Sequence, residues 1–219
     1  MTDQTPPSPR TRARRVHERA RYDRESLNAI LDAGLICHVG YVFDGYPVVT
    51  PTIYWREGDA VFWHGSSASR MIRANTEAEV CLTVTHLDGL VLARSAFHHS
   101  ANYRSAMLFG RARAVEDDAA KIRHLKGLVD SLYPGRWESL RPINAQELKA
   151  TKVLWMPIDE ASAKVRAGGP KDDAEDMADP VWAGVAPLPV GLGALQPDAV
   201  TAEAARAAPV ISRRILTSA

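Results

Sequence analysis

The sequence predicts a mainly β protein with helices (α+β), an antiparallel barrel carrying its helices on the outside. Three observations lead there. Apolar strand-like runs flank Asp-Gly turns at Asp44-Gly45 and Asp88-Gly89, a hairpin signal. A long strand-like run follows at 103–115. The order strand, strand, strand, short helix, strand, strand, helix, strand fits a small barrel with external helices.

Each element has a local reason. Residues 1–21 are rich in Pro, Thr and Arg without periodicity and are expected to form a basic disordered arm carrying Arg10, Arg12, Arg14, Arg15, Arg19 and Arg21. Such an arm is a solvated tail or lies over a partner subunit or an anionic ligand. Asp23 caps a helix whose Leu27, Ile30 and Leu31 share a face, and Gly34 stops it. Strands are expected at 35–42, 47–55 and 60–64, then a short helix at 66–75. Further strands follow at 79–87, 90–94 and 103–115. Ile122, Leu125, Leu128, Val129 and Leu132 recur at helical spacing over 117–132, and Pro134-Gly135 ends that helix. A short helix at 144–149 precedes a final strand at 151–158. The domain therefore spans 22–168, followed by an extended arm at 169–189 and a disordered tail at 190–219.

Composition narrows the function. The 219 residues carry a formal net charge of +1, so no global field recruits nucleic acid or membrane. Cys37 and Cys81 sit singly in apolar runs and read as core residues of a reducing compartment. No apolar run approaches the roughly 18 residues of a membrane span. With the polar opening MTDQTPPSPRTRARR, a cytoplasmic location is expected.

Several segments can carry chemistry. In His64-Gly65-Ser66-Ser67-Ala68-Ser69-Arg70, exposed amides at a helix start and an arginine fork suit a phosphate, although a serine-rich helix cap reads equally well. In Ser95 to Arg113, a loop with His98 and His99 runs into Asn102-Tyr103-Arg104-Ser105. Polar groups this dense beside an apolar strand need partners, and a phosphate- and ring-bearing ligand supplies them. Pro51 within Val49-Thr50-Pro51-Thr52-Ile53-Tyr54-Trp55 marks an edge or bulge with unpaired backbone. Thr83 and Thr85 share one face of their strand, turned to ligand or to solvent. Trp182, in PVWAGVAPL after an acidic linker, reads as the end of an arm that inserts somewhere or packs on its own barrel. No array of Cys and His supports zinc.

The Asn-Tyr-Arg-Ser segment and the Gly-Ser-x-x-Ser-Arg loop resemble those of the FMN-binding split-barrel proteins related to pyridoxamine 5'-phosphate oxidase, especially the branch containing the nitroimidazole-resistance proteins. The resemblance spans roughly Tyr22 to Leu188. It implies an FMN-binding split barrel with the flavin phosphate at Gly65, Ser66, Ser69 and Arg70. Pro51, Thr52 and Ile53 would lie along the flavin ring, with Arg104 and Ser105 bordering it. Trp182, in a Trp-x-Gly-x-x-Pro close, would reach the site at a dimer interface. It further implies a homodimer, because a half-open barrel leaves an edge and an apolar flank to cover. No second phosphate clamp is evident, so vitamin B6 oxidation is disfavoured. The leading expectation is an FMN-dependent oxidoreductase passing electrons from a nicotinamide donor to a small-molecule acceptor such as a nitroaromatic or quinone; the alternative is a non-enzymatic flavin- or haem-binding protein. FAD can replace FMN in this scheme. Should haem bind, His64, His98 or His99 would be its ligand.

Overall fold

The computed structural model describes residues 5–204 and 207–212. The first residues of the expected arm (1–4) and the tail residues 205–206 and 213–219 lie outside them.

Strands β1 (Ala20–Arg21), β2 (Ile36–Phe43), β3 (Tyr46–Glu57), β4 (Ala60–Ser66), β5 (Glu79–Leu92), β6 (Ser100–Arg111), β7 (Arg113–Ala114), β8 (Thr151–Pro157), β9 (Glu160–Arg166) and β10 (Gly184–Pro187) form one ten-stranded sheet. Helices are α1 (Arg24–Ala33), α2 (Arg70–Asn75), α3 (Asp118–Leu132), α4 (Ala145–Ala150) and α5 (Ala199–Glu203). The strand order is β1-β9-β6-β5-β2-β3-β4-β8-β7, with antiparallel pairing throughout. β6 runs through the fully buried Ala112 into β7, which pairs with β8 and so curls the sheet into a barrel.

The barrel is split along β3. Its residues Tyr46 to Ile53 pair with β2, whereas β4 pairs only with Tyr54 to Glu57. Beyond Tyr54↔Trp63, β4 follows β8 instead, through His64↔Val153, Gly65↔Lys152 and Ser66↔Thr151. Residues 51–53 and 64–66 therefore form two diverging lips.

Side chains alternate across the sheet. Cys37, Val39 and Tyr41 of β2, Leu82 and Val84 of β5, and Ala106 and Leu108 of β6 fill the barrel. Helix α1 closes it. The Asp23 carboxylate accepts from the Ser26 N–H at 2.8 Å, and that bond holds its pKa below the usual value. Leu27, Ile30 and Leu31 then enter the core at 3%, 2% and 1% exposure, each contributing roughly 1.5–3 kcal/mol. A second cluster forms where α3 lays Leu128 against Trp55, Phe62 and Val153 on the outer side of β3, β4 and β8.

Four elements differ from expectation. The turn at Asp88-Gly89 is a bulge within one long β5: Leu87 faces Tyr103, Gly89 faces Asn102, and Asp88 is the extra residue. Strand β9, with Ala161, Ser162, Ala163 and Lys164, was not expected because small residues give a weak strand signal; the 151–158 strand is therefore not the final one. Residues 5–21 lie on the barrel, with Thr11 and Ala20 buried, Arg10 paired to Glu160 and its guanidinium 5.1 Å from the Phe109 ring. The 169–189 arm ends in β10, which pairs with β5 at Gly184↔Leu92 to Pro187↔Gly89.

Candidate functional site

The split positions most of the expected residues. On one lip, Pro51 and Ile53 are exposed, while Thr52 between them turns inward opposite the buried Cys37. Among the described residues no strand pairs with these three on the side towards β4, leaving backbone groups for a ligand. The other lip carries His64, Gly65 and Ser66. A Cβ on Gly65 would stand 2.9 Å from Ile72 Cγ1, so glycine is needed for α2 to pack beneath it.

The loop after β4 is tightly folded. The Ser69 N–H donates to Ser66 O at 2.9 Å, the Ser67 N–H to Ala150 O at 2.8 Å, and the Ala68 N–H to Ser66 Oγ at 3.3 Å. Ser69 is the N-cap of α2 without a side-chain cap bond. Arg70 is exposed, its guanidinium 5.3 Å from the Phe43 ring, and it has no carboxylate partner among the described residues. Gly65, Ser66, Ser69 and Arg70 thus share one polar rim with an unpaired cation.

The 102–105 segment divides. Arg104 donates from Nε to Asp88 Oδ2 at 3.0 Å and from Nη2 to Asp88 Oδ1 at 2.8 Å. This fork raises the guanidinium's pKa against the opposing effect of burial. Its neighbour Ser105 points through the opposite face of the sheet. There it lines a cavity of about 180 Å³ with Met107, Ser162, Lys164, Arg10 and Arg12. Arg104 and Ser105 therefore do not meet at one phosphate. The two side chains leave β6 on opposite faces, and nothing local announced Asp88 as the arginine's partner.

The three histidines differ in the same way. His98 Nε2 lies 3.1 Å from Asp173 Oδ2, and His99 Nδ1 lies 2.9 Å from Ser95 O. His64 Nδ1 is buried without a hydrogen-bond partner. Burial pushes the His64 pKa down, favouring a neutral ring, and that ring lies 6.1 Å from Trp55. Sequence reasoning passed over His38, which is exposed on β2 opposite Pro51; its alternation with Cys37 and Val39 was the available signal. Trp182 is 67% exposed, its ring folded onto Gly184 at the start of β10. It stands on the arm beside β5 and not on either lip.

Residues 23–165 match the family model described as pyridoxamine 5'-phosphate oxidase. The chain belongs to this family. The flavocytochrome Anf3 from Azotobacter vinelandii is 52% identical, over 89% of this chain and 91% of that one, with a TM-score of 0.86. The FAD and haem binding protein from Mycobacterium smegmatis is 41% identical, over 83% of this chain and 89% of that one, with a TM-score of 0.79. A protein assigned to 5-nitroimidazole antibiotic resistance from Bacteroides thetaiotaomicron is 23% identical, over 67% of this chain and 86% of that one, with a TM-score of 0.55, and shares the fold. No curated protein matches. In this pyridoxamine 5'-phosphate oxidase family member, no helix among the described residues is long and apolar enough to cross a membrane.

Proposed function

We propose that this protein binds FAD and haem and passes electrons between them. The carrying observation is the similarity, at 52% and 41% identity along most of the chain, to a flavocytochrome and to an FAD and haem binding protein. This reverses the order expected from the sequence, where an FMN enzyme came first and flavin or haem binding second, and it substitutes FAD for FMN.

The residues present fit both groups. His64 offers a ring nitrogen without a partner, and burial keeps the imidazole in the neutral form that can ligate iron. Pro51 and Ile53 offer an edge without a strand partner, suited to hydrogen bonds along a flat ring. Ser66, Ser69 and Arg70 offer donors and charge to a phosphate. Bound flavin and haem would supply the redox chemistry, the one able to take two electrons and the other cycling by one. The protein's work is to hold the rings and, through burial, to keep the imidazole neutral; no side chain need act as a strong acid or base.

Titration with hemin tests this reading. The wild-type protein should give a histidine-type Soret band that is lost in His64→Ala and retained in His98→Ala and His99→Ala. A band unchanged in His64→Ala would remove that residue as ligand. Failure of the wild type to bind either hemin or FAD would overturn the proposal.

A homodimer belongs to the same reading. Ile36, Val42, Val49, Ile53 and Met107 are 46%, 68%, 65%, 42% and 42% exposed on the outward side of β2, β3 and β6. Alternate residues that should be polar on a solvated face are apolar here, and a second copy would cover them.

A further inference from the structure

The cations of the N-terminal arm divide into two kinds. Arg10 pairs with Glu160 and, at 3.4 Å, with Glu79. Arg21 donates from Nη1 to Glu18 O at 2.9 Å and to Ala20 O at 2.7 Å. The side chains of Arg12, Arg14 and His17 meet no carboxylate and no hydrogen-bond acceptor among the described residues. All three line one cavity of about 690 Å³, whose wall is completed by Pro6, Ala13 and Tyr22. No carboxylate belongs to that wall.

The backbone of the arm is held in the shape that brings these groups to one space. Thr11 is 3% exposed; its Oγ1 donates to Ser8 O at 2.8 Å and accepts from the Ser8 N–H at 3.1 Å. The Ala13 N–H, between the two arginines, donates to Tyr22 Oη at 3.0 Å. At the bend between Arg14 and His17, Val16 stands at φ 54° and ψ 47°. A β-branched residue rarely adopts this left-handed conformation, and strain of this kind collects at sites that bind. Two guanidiniums that line one space without a counter-charge repel each other. An anion between them turns that repulsion into attraction.

We propose that this cavity binds a phosphorylated small molecule of nucleotide size. The forks of Arg12 and Arg14 match phosphate oxygens, and the imidazole of His17 adds ring nitrogens to the same wall. Pro6 and the ring of Tyr22 offer an apolar surface against which a flat base can lie. The volume suits such a ligand, since small-molecule sites run to about 300–1,000 Å³, and it far exceeds the needs of a lone ion. The site is separate from the loop at 65–70 and does not depend on the reading of that loop.

The test is calorimetric titration of the full-length protein with ADP, before and after loading with FAD. The wild type should bind ADP, and adenosine, which lacks the phosphates, should bind about tenfold more weakly or worse. Arg12→Gln and Arg14→Gln should each weaken ADP by about three- to tenfold, the scale of one exposed charge-assisted contact. Arg15→Gln removes the same charge from an exposed arm residue outside the cavity and should bind ADP as the wild type does. All three variants should melt with the wild type, because exposed arginines fill no core. ADP binding that persists in the FAD-loaded protein assigns the site to a separate nucleotide. Binding confined to the FAD-free protein, with FAD itself weakened in Arg12→Gln and Arg14→Gln, assigns it to the FAD diphosphate. A protein that takes up no FAD still answers the ADP question, so this site and the cofactor reading fail separately. No ADP binding, adenosine equal to ADP, Arg12→Gln and Arg14→Gln both matching wild type, or equal weakening in Arg15→Gln would overturn the proposal.

Discussion

Arg104 and Arg70 lie in similar-looking polar segments, but the structure gives them different partners. Arg104 holds both oxygens of Asp88, the extra residue of the β5 bulge, whereas Arg70 lies over Phe43 without a carboxylate partner among the described residues. Arg104→Ala should cost about 1–3 kcal/mol, after allowance for partial exposure. It should lower the denaturant midpoint while leaving FAD affinity unchanged. Arg70→Ala should do the reverse, weakening FAD by about tenfold at an unchanged midpoint, as read by flavin fluorescence quenching. If both variants behave alike, the two arginines have been wrongly separated. The sequence places the loop at 65–70 at a helix start because glycine, serine and arginine there have a local meaning, and the helix does begin at Arg70. The Arg104–Asp88 pair was not legible, since it spans two strands and depends on a bulge. Cys37 followed expectation: it is fully buried, and desolvation pushes its thiol up to about 12.

At the scale of elements, the arm after β9 is tied down by electrostatics. The Asp172 carboxylate accepts from the Arg94 backbone N–H at 2.9 Å and from Arg94 Nη1 at 2.8 Å. The backbone bond above all holds its pKa below the ordinary carboxylate value. Further on, β10 lies so close to β5 that a Cβ on Gly89 would stand 3.0 Å from Ala186 O. A depressed carboxylate pKa stabilises the docked arm above the unfolded value and loses that effect as pH falls through the folded one. The arm should therefore loosen only at strongly acidic pH in the wild type, but at neutral pH in Asp172→Asn. Faster amide exchange at Val185 and Ala186 in that variant is the expected signature; unchanged exchange would show that strand pairing alone holds the arm. The first hairpin and α1 were legible because turn chemistry and helical spacing are local signals. Strands β9 and β10 were not, for their small residues become strands only through the neighbours they pair with.

At the scale of the molecule, the outward face of the sheet carries the argument for assembly. Light scattering should give about twice the chain mass of 24.0 kDa, and Val49→Glu with Met107→Glu should return the monomer by burying like charges against each other. A wild-type monomer at micromolar concentration would contradict this. The barrel itself was visible from alternation and from the Asp44-Gly45 turn, while its split was not, because the parting of β3 from β4 at Tyr54 is a property of the closed sheet. That split puts His64 and the edge at 51–53 on facing lips, which is the geometry behind the proposed electron transfer. Its direct test is anaerobic: load the protein with FAD and hemin, add a nicotinamide donor, and follow both chromophores. Bleaching of the flavin band followed by the sharpened visible bands of ferrous haem, with the second step lost in His64→Ala, is the predicted result. Flavin reduction that leaves the haem ferric in the wild type would contradict it.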